Sequence, residues 1–100
     1  LPEGILLFYG TGCPFCKKVE DFISENKIAE KVSFKNLEIP YDKKTNNELQ
    51  ANAGFLVQAA KNCGLDIRGG VNIPFLYDGK NCLIGEPDIV SFFKTKAGIQ

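Results

Sequence analysis

Two cysteines, Cys13 and Cys16, stand in the stretch Thr11-Gly12-Cys13-Pro14-Phe15-Cys16-Lys17-Lys18. Thiols three positions apart share one face of a helical turn and can close a local disulfide. When the first is ionised it attacks a foreign disulfide, and the second releases whatever the first has captured. Ionisation is favoured where a cysteine faces the unpaired N–H groups and the positive dipole end of a helix N-terminus. The flanking residues supply that setting. Ile5-Leu6-Leu7-Phe8-Tyr9 is an apolar run of strand length. Beyond the motif, Phe15, Val19, Phe22 and Ile23 recur at spacings of three and four, the stripe of an amphipathic helix. Lys17, Lys18, Glu20, Asp21 and Glu25 take its other face, and Pro14 suits its first turn. The spacing therefore predicts Cys13 as nucleophile at a strand-to-helix junction and Cys16 as resolving thiol. A structural disulfide or half of a metal site would use the same pair. Lys17 and Lys18 would lend a thiolate modest, water-screened support.

Composition narrows the rest. One hundred residues make one domain, 1–100, with chain enough for one core. Twelve basic and twelve acidic residues balance, so neither nucleic acid nor a membrane surface is an expected partner. No apolar run reaches membrane-spanning length, and Leu1-Pro2-Glu3-Gly4 lacks signal-peptide character. The chain has no histidine, which removes the commonest general base and zinc ligand. Four cysteines are too few for a disulfide-built secreted scaffold, so a reducing, cytoplasmic setting is expected, with CxxC catalytic. Cys63 falls on the stripe Leu49, Ala53, Leu56, Ala60 and is expected as a small core residue. Cys82 falls in a strand as a half-buried thiol.

The elements follow in order. A helix after the motif ends near Asn26-Lys27. Val32-Ser33-Phe34-Lys35 alternates, and Leu37-Glu38-Ile39 resumes out of phase, which predicts a strand with a bulge or an early end. Pro40 and Tyr41-Asp42 close it. Thr45-Asn46-Asn47-Glu48 has the form of a capping box before a second helix, which Gly64 ends. Residues 65–72 are a loop. Ile73–Tyr77 and Asn81–Ile84 flank Asp78-Gly79, a tight-hairpin signal. Pro87 opens a last helix with Ile89, Val90, Phe92 and Phe93 buried. The order is βαβαββα, a four-stranded mixed sheet flanked by three or more helices.

The whole arrangement resembles the glutaredoxins, α/β proteins of the thioredoxin-like fold. Cys13-Pro14-Phe15-Cys16 is similar to their Cys-Pro-aromatic-Cys centre. Asn72-Ile73-Pro74-Phe75 resembles their Thr-Val-Pro stretch, and Gly85-Glu86-Pro87-Asp88 stands in place of their Gly-Gly-x-Asp segment. The resemblance implies that Pro74 is cis, which turns the Ile73 backbone toward the cysteines to pair with an extended peptide. A trans proline opening an edge strand is the alternative. It also implies a substrate surface of Thr11, Pro14, Phe15, Lys17, Ile73, Pro74, Gly85 and Asp88 around Cys13 and Cys16. The implied activity is reduction of disulfide-containing or glutathionylated proteins by a monomer with no tightly bound cofactor. Glutathione is the implied co-substrate, or a thioredoxin-type reductase the electron source. Electron donation to ribonucleotide reductase and carriage of a [2Fe–2S] cluster are the family's other occupations. Three departures stand out. Gly10 replaces a lysine that many glutaredoxins place three positions before the first cysteine, Ile84-Gly85 replaces paired glycines, and Pro87 has no N–H to offer a ligand. Arg68, Lys17 and Lys18 are candidate replacements for the missing cation.

Overall fold

The computed structural model describes residues 1–41 and 45–99. The apolar run Ile5–Tyr9 forms strand β1, with Leu6, Leu7 and Phe8 buried on both faces. Such a strand must lie inside a sheet covered on both sides, and it does. It pairs in parallel with β2 (Phe34–Glu38) and antiparallel with β3 (Phe75–Tyr77), which pairs with β4 (Cys82–Ile84). The order across the four-stranded sheet is β2-β1-β3-β4. Helices α1 (Pro14–Glu25), α2 (Asn47–Asn62) and α3 (Glu86–Ala97) complete the expected βαβαββα order, with one 3-10 turn, Ile28–Glu30, added after α1.

Alternation along the strands sorts the apolar side chains into two layers. Leu6, Phe8, Phe75 and Tyr77 pack with Leu56, Ala59 and Ala60 of α2 on one face. Leu7 and Leu76 pack with Val19 of α1 and Ile89 and Phe93 of α3 on the other. Phe8 meets Phe75 edge-on, with centroids 6.0 Å apart.

Four expectations are corrected. First, β2 has no bulge, because five consecutive residues stay in register with β1. The apparent phase slip is a change of face. Val32 and Phe34 pack on the α1–α3 layer, whereas Leu37 and Ile39 pack on the α2 layer. Second, the cap of α2 is Asn46, not Thr45. Asn46 Oδ1 accepts the Leu49 N–H at 2.9 Å, and Thr45 is exposed. Third, the hairpin strands are shorter than expected. Ile73 and Pro74 lie outside β3, and the turn is closed by the Asp78 N–H donating to Asn81 O at 3.1 Å. The Asp78 carboxylate accepts the amides of Lys80 and Asn81, and Gly79 takes a φ of +100° that a side chain would resist. Fourth, Cys63 and Cys82 are not separate thiols but form a disulfide across 19 positions. Asp42, expected to help close β2, lies outside the described residues; Tyr41, its neighbour, does follow the strand.

Candidate active site

β1 ends at Tyr9, and the chain turns through Gly10-Thr11-Gly12 before α1 begins. Gly12, at φ +93°, makes that reversal. The Cys13 N–H donates to Gly10 O at 3.3 Å, which fixes Cys13 as the N-cap of α1. Its Sγ accepts the Cys16 N–H at 3.2 Å. An N–H aimed at a sulfur favours the charged form of that sulfur, and so does the dipole behind it. Pro14 takes the first helical position, where a missing N–H costs nothing. Cys13 and Cys16 are joined as a disulfide, the oxidised form of the pair. Their surroundings differ. Cys13, 5% exposed, borders a surface cleft with Tyr9, Thr11, Lys17 and Glu20, whereas Cys16, 1% exposed, borders neither that cleft nor the groove beside Pro74. Cys13 is therefore the sulfur an incoming group meets.

A second depression is lined by Phe15 of α1 and by Asn72, Ile73, Pro74, Ile84, Gly85, Glu86 and Pro87. The Ile73–Pro74 bond is cis. Among the described residues, neither the N–H nor the C=O of Ile73 has a hydrogen-bond partner. Phe15 is 57% exposed and Ile84 40%, so the groove has two large apolar rims. Both carry area that leaves water when something settles between them.

Neither a family model nor a curated protein matches the chain. Solved structures do. The glutaredoxin (grx-1) of Archaeoglobus fulgidus superposes with a TM-score of 0.53 over 89% of this chain and 84% of its own, at 20% identity. Oxidized glutaredoxin 2 of Chlamydomonas reinhardtii gives 0.51 over 97% and 84%, at 19% identity. The chain has the thioredoxin-like fold of the glutaredoxins. On that fold, Cys13-Pro14-Phe15-Cys16 occupies the turn from first strand to first helix, and Pro74 opens the hairpin opposite Phe15.

The glutaredoxin fold is kept, but its polar fittings are altered here. At Gly10, an added Cβ would lie 2.5 Å from Tyr41 Cβ and 3.0 Å from Ile73 Cδ1. Tyr41 occupies the space a longer residue would need, which accounts physically for the missing lysine. Gly85 lines the groove, yet its N–H already donates to Pro74 O at 3.0 Å. Asp88 faces a different hollow, with Leu83, Ser91, Phe92, Thr95 and Lys96, and does not border the groove beside Pro74. Arg68 borders neither depression; its exposed guanidinium pairs with Asp66 at 2.9 Å. Lys17 stands on the Cys13 cleft with its ammonium paired to Asp21 at 3.0 Å, and Lys18 lies over the Phe15 ring at 5.2 Å.

Carboxylates and Lys17 share the charge beside Cys13. Burial raises the pKa of Glu20 from its ordinary value, the charges of Asp21 and Glu38 push the same way, and Lys17 opposes them. Burial and then Glu38, Glu20 and Glu48 raise that of Tyr9. Thr11 Oγ1 donates to Glu38 Oε2 at 2.7 Å, so this predicted substrate contact is committed to β2. Glu20 was readable as a neighbour of Cys16, since it follows four positions later on the same helix. Glu38 was not, because only the parallel pairing of β1 with β2 brings it opposite Tyr9.

Proposed function

We propose that the chain is a dithiol oxidoreductase that reduces disulfides in extended protein segments, with Cys13 as nucleophile and Cys16 as resolving thiol. The observation that carries this is the N-cap position of Cys13, its sulfur accepting the Cys16 N–H at 3.2 Å. In the reduced protein the Cys13 thiolate attacks one sulfur of a substrate disulfide. A mixed disulfide forms at Cys13, and the other substrate sulfur leaves as a thiolate that takes a proton. Cys16 then gives up its proton and attacks Cys13 Sγ. The second substrate sulfur departs, and the Cys13–Cys16 bridge seen here remains. Two electrons have passed from the dithiol to the substrate.

The groove beside Pro74 seats the segment around the substrate disulfide. Phe15 and Ile84 take its apolar side chains, and the unpaired Ile73 backbone supplies main-chain partners. Regeneration by a dithiol reductase fits this groove better than regeneration by glutathione, the co-substrate that the resemblance implies. The anchors for glutathione carboxylates are diverted: Gly10 carries no cation, the Gly85 amide is taken and Pro87 has none.

The test is reductive turnover of a peptide disulfide, with glutathione and its reductase in one arm and thioredoxin reductase in the other. Cys13→Ser should abolish turnover in both. Cys16→Ser should stop dithiol turnover and accumulate a mixed disulfide detectable by mass. Full activity in Cys13→Ser would remove the nucleophile from this account.

A further inference from the structure

The cycle above uses two of the four cysteines. The other two form the Cys63–Cys82 bridge. We propose that this second disulfide stays closed while Cys13–Cys16 opens and closes, and that it positions the wall of the substrate groove. The proposal rests on the reading of Cys13–Cys16 as the exchanging pair.

The two bridges sit at opposite ends of helices. Cys13 caps the N-terminus of α1, where a thiolate is stabilised. Cys63 caps the C-terminus of α2, where its own N–H bonds Ala59 O and Ala60 O and the negative dipole end surrounds it. Cys82 Sγ lies 3.4 Å from the carbonyl oxygen of Ala59, a partner that suits a thiol and repels a thiolate. Lys61 in the last turn of α2 is exposed, so water screens its charge. Reduction of a disulfide frees two thiols, and where neither is helped to ionise the reduced form gains no stabilisation over the bridge. The same electrostatics that open Cys13–Cys16 hold Cys63–Cys82 shut.

What the second bridge holds is the groove. The chain it encloses, residues 63–82, contains Ile73, Pro74 and β3. Its far anchor is β4, an edge strand of three residues paired on one side only. Cys82 and Ile84 are two positions apart and point to the same face of that strand. Ile84 forms the apolar rim opposite Phe15. The bridge thus ties the strand that carries this rim to the end of α2. Without it, β4 is held by its ladder to β3, the packing of Leu83 on the α1–α3 layer and that of Cys82 on the α2 layer.

Two measurements test this on the intact chain. The first poises the wild-type protein in dithiothreitol buffers of rising reduced-to-oxidised ratio, traps thiols with an alkylating agent and locates them by mass. Opening either bridge consumes two electrons and two protons from dithiothreitol, which cyclises to its own disulfide. Cys13 and Cys16 should be labelled first. Cys63 and Cys82 should need at least a tenfold higher ratio, which is about 30 mV for a two-electron couple. Labelling of all four together, or of Cys63 and Cys82 first, overturns the proposal. The second compares the double variant C63S/C82S with wild type on a peptide disulfide. KM should rise threefold or more with kcat within twofold, and an unchanged KM removes the positioning role. Should the double variant not fold, amide exchange of Ile84 and Gly85 is read in wild type at poises on either side of the second opening. Faster exchange after opening is the expected result, and no change overturns the role. Absence of turnover in wild type with Cys63–Cys82 closed would strike the exchange reading alone.

Discussion

Gly10→Ala is the substitution whose effect follows most directly from the geometry. The new Cβ would stand 2.5 Å from Tyr41 Cβ, well inside any contact real Cβ atoms make. The obstructing atom is bonded to the backbone, so no rotamer of Tyr41 withdraws it, although the ring itself is half-exposed. Either the backbone at Gly10 or that at Tyr41 must move. Overpacking of this kind costs about 2 kcal/mol, which lowers Tm by roughly 8–16 °C in a domain of this size. The displacement reaches chemistry as well, because Gly10 O holds the Cys13 N–H at 3.3 Å. Thermal unfolding and denaturant titration of Gly10→Ala, Tyr41→Gly and the double variant close a cycle. The Tyr41→Gly change deletes the clashing atom, so the pair should couple favourably by roughly 0.5–3 kcal/mol. A Gly10→Ala protein within about 0.5 kcal/mol of wild type, or a cycle with no coupling, would refute both the clash and its use to explain the missing lysine.

Two further outcomes are expected. Asn46→Ala should destabilise by about 1 kcal/mol because the Leu49 N–H loses its acceptor, while Thr45→Ala should change little; denaturant midpoints of the two variants would distinguish them. At Asp78, burial works against ionisation, but the amides of Asn81 and Lys80, the Asn81 side chain and Lys96 outweigh it and hold the pKa below the ordinary value. A carboxyl lowered on folding contributes stability that is present above its unfolded pKa and lost as pH falls through the folded one. Wild type should therefore lose that contribution below about pH 4. Asp78→Ala, missing it already, should be less stable near pH 7 by about 1 kcal/mol, with the gap narrowing in acid. Equal stabilities at pH 7 would place the hairpin turn under Gly79 alone.

Where the signal was local, the sequence was sufficient. The apolar run of β1, the stripe of α1, Pro14 after Cys13, and the Asp78-Gly79 turn each need only a few adjacent residues, and each lies where it was expected. The cap of α2 was missed by one position, since Thr45 and Asn46 are both good caps and only the backbone path selects between them. The face change in β2 imitates a bulge because alternation reports phase, not which layer covers each side. Cys63 was the least legible. It falls on the helical stripe of α2 and does pack on that core layer, so its spacing gave no reason to seek a partner. The partner sits 19 positions away on a strand whose place at the sheet edge comes from the β2-β1-β3-β4 order. Tyr41 was hidden for the same reason: its contact with Gly10 exists only after β1 and β2 have paired.

The cleft that Cys13 borders and the groove lined by its neighbour Phe15 differ in a way that bears on the proposed reaction. On one side of Cys13 lies the cleft with Tyr9 and Glu20, and Glu38 stands behind Thr11. Burial first, and then the neighbouring carboxylates, raise the pKa values of Glu20 and Tyr9 on that side. On the other side lies the groove of Phe15, Ile73, Pro74 and Ile84, apolar at its rims and open at the Ile73 backbone. The first side sets Glu20 and a Lys17 ammonium paired to Asp21 beside Cys13, while the second carries no cation and one carboxylate, Glu86. An extended polypeptide needs no fixed cation. It buries side chains against Phe15 and Ile84 and pairs its main chain with Ile73. On the function proposed above, this cation-free groove would therefore take extended disulfide-bearing segments in preference to glutathione, which the two-arm turnover assay tests.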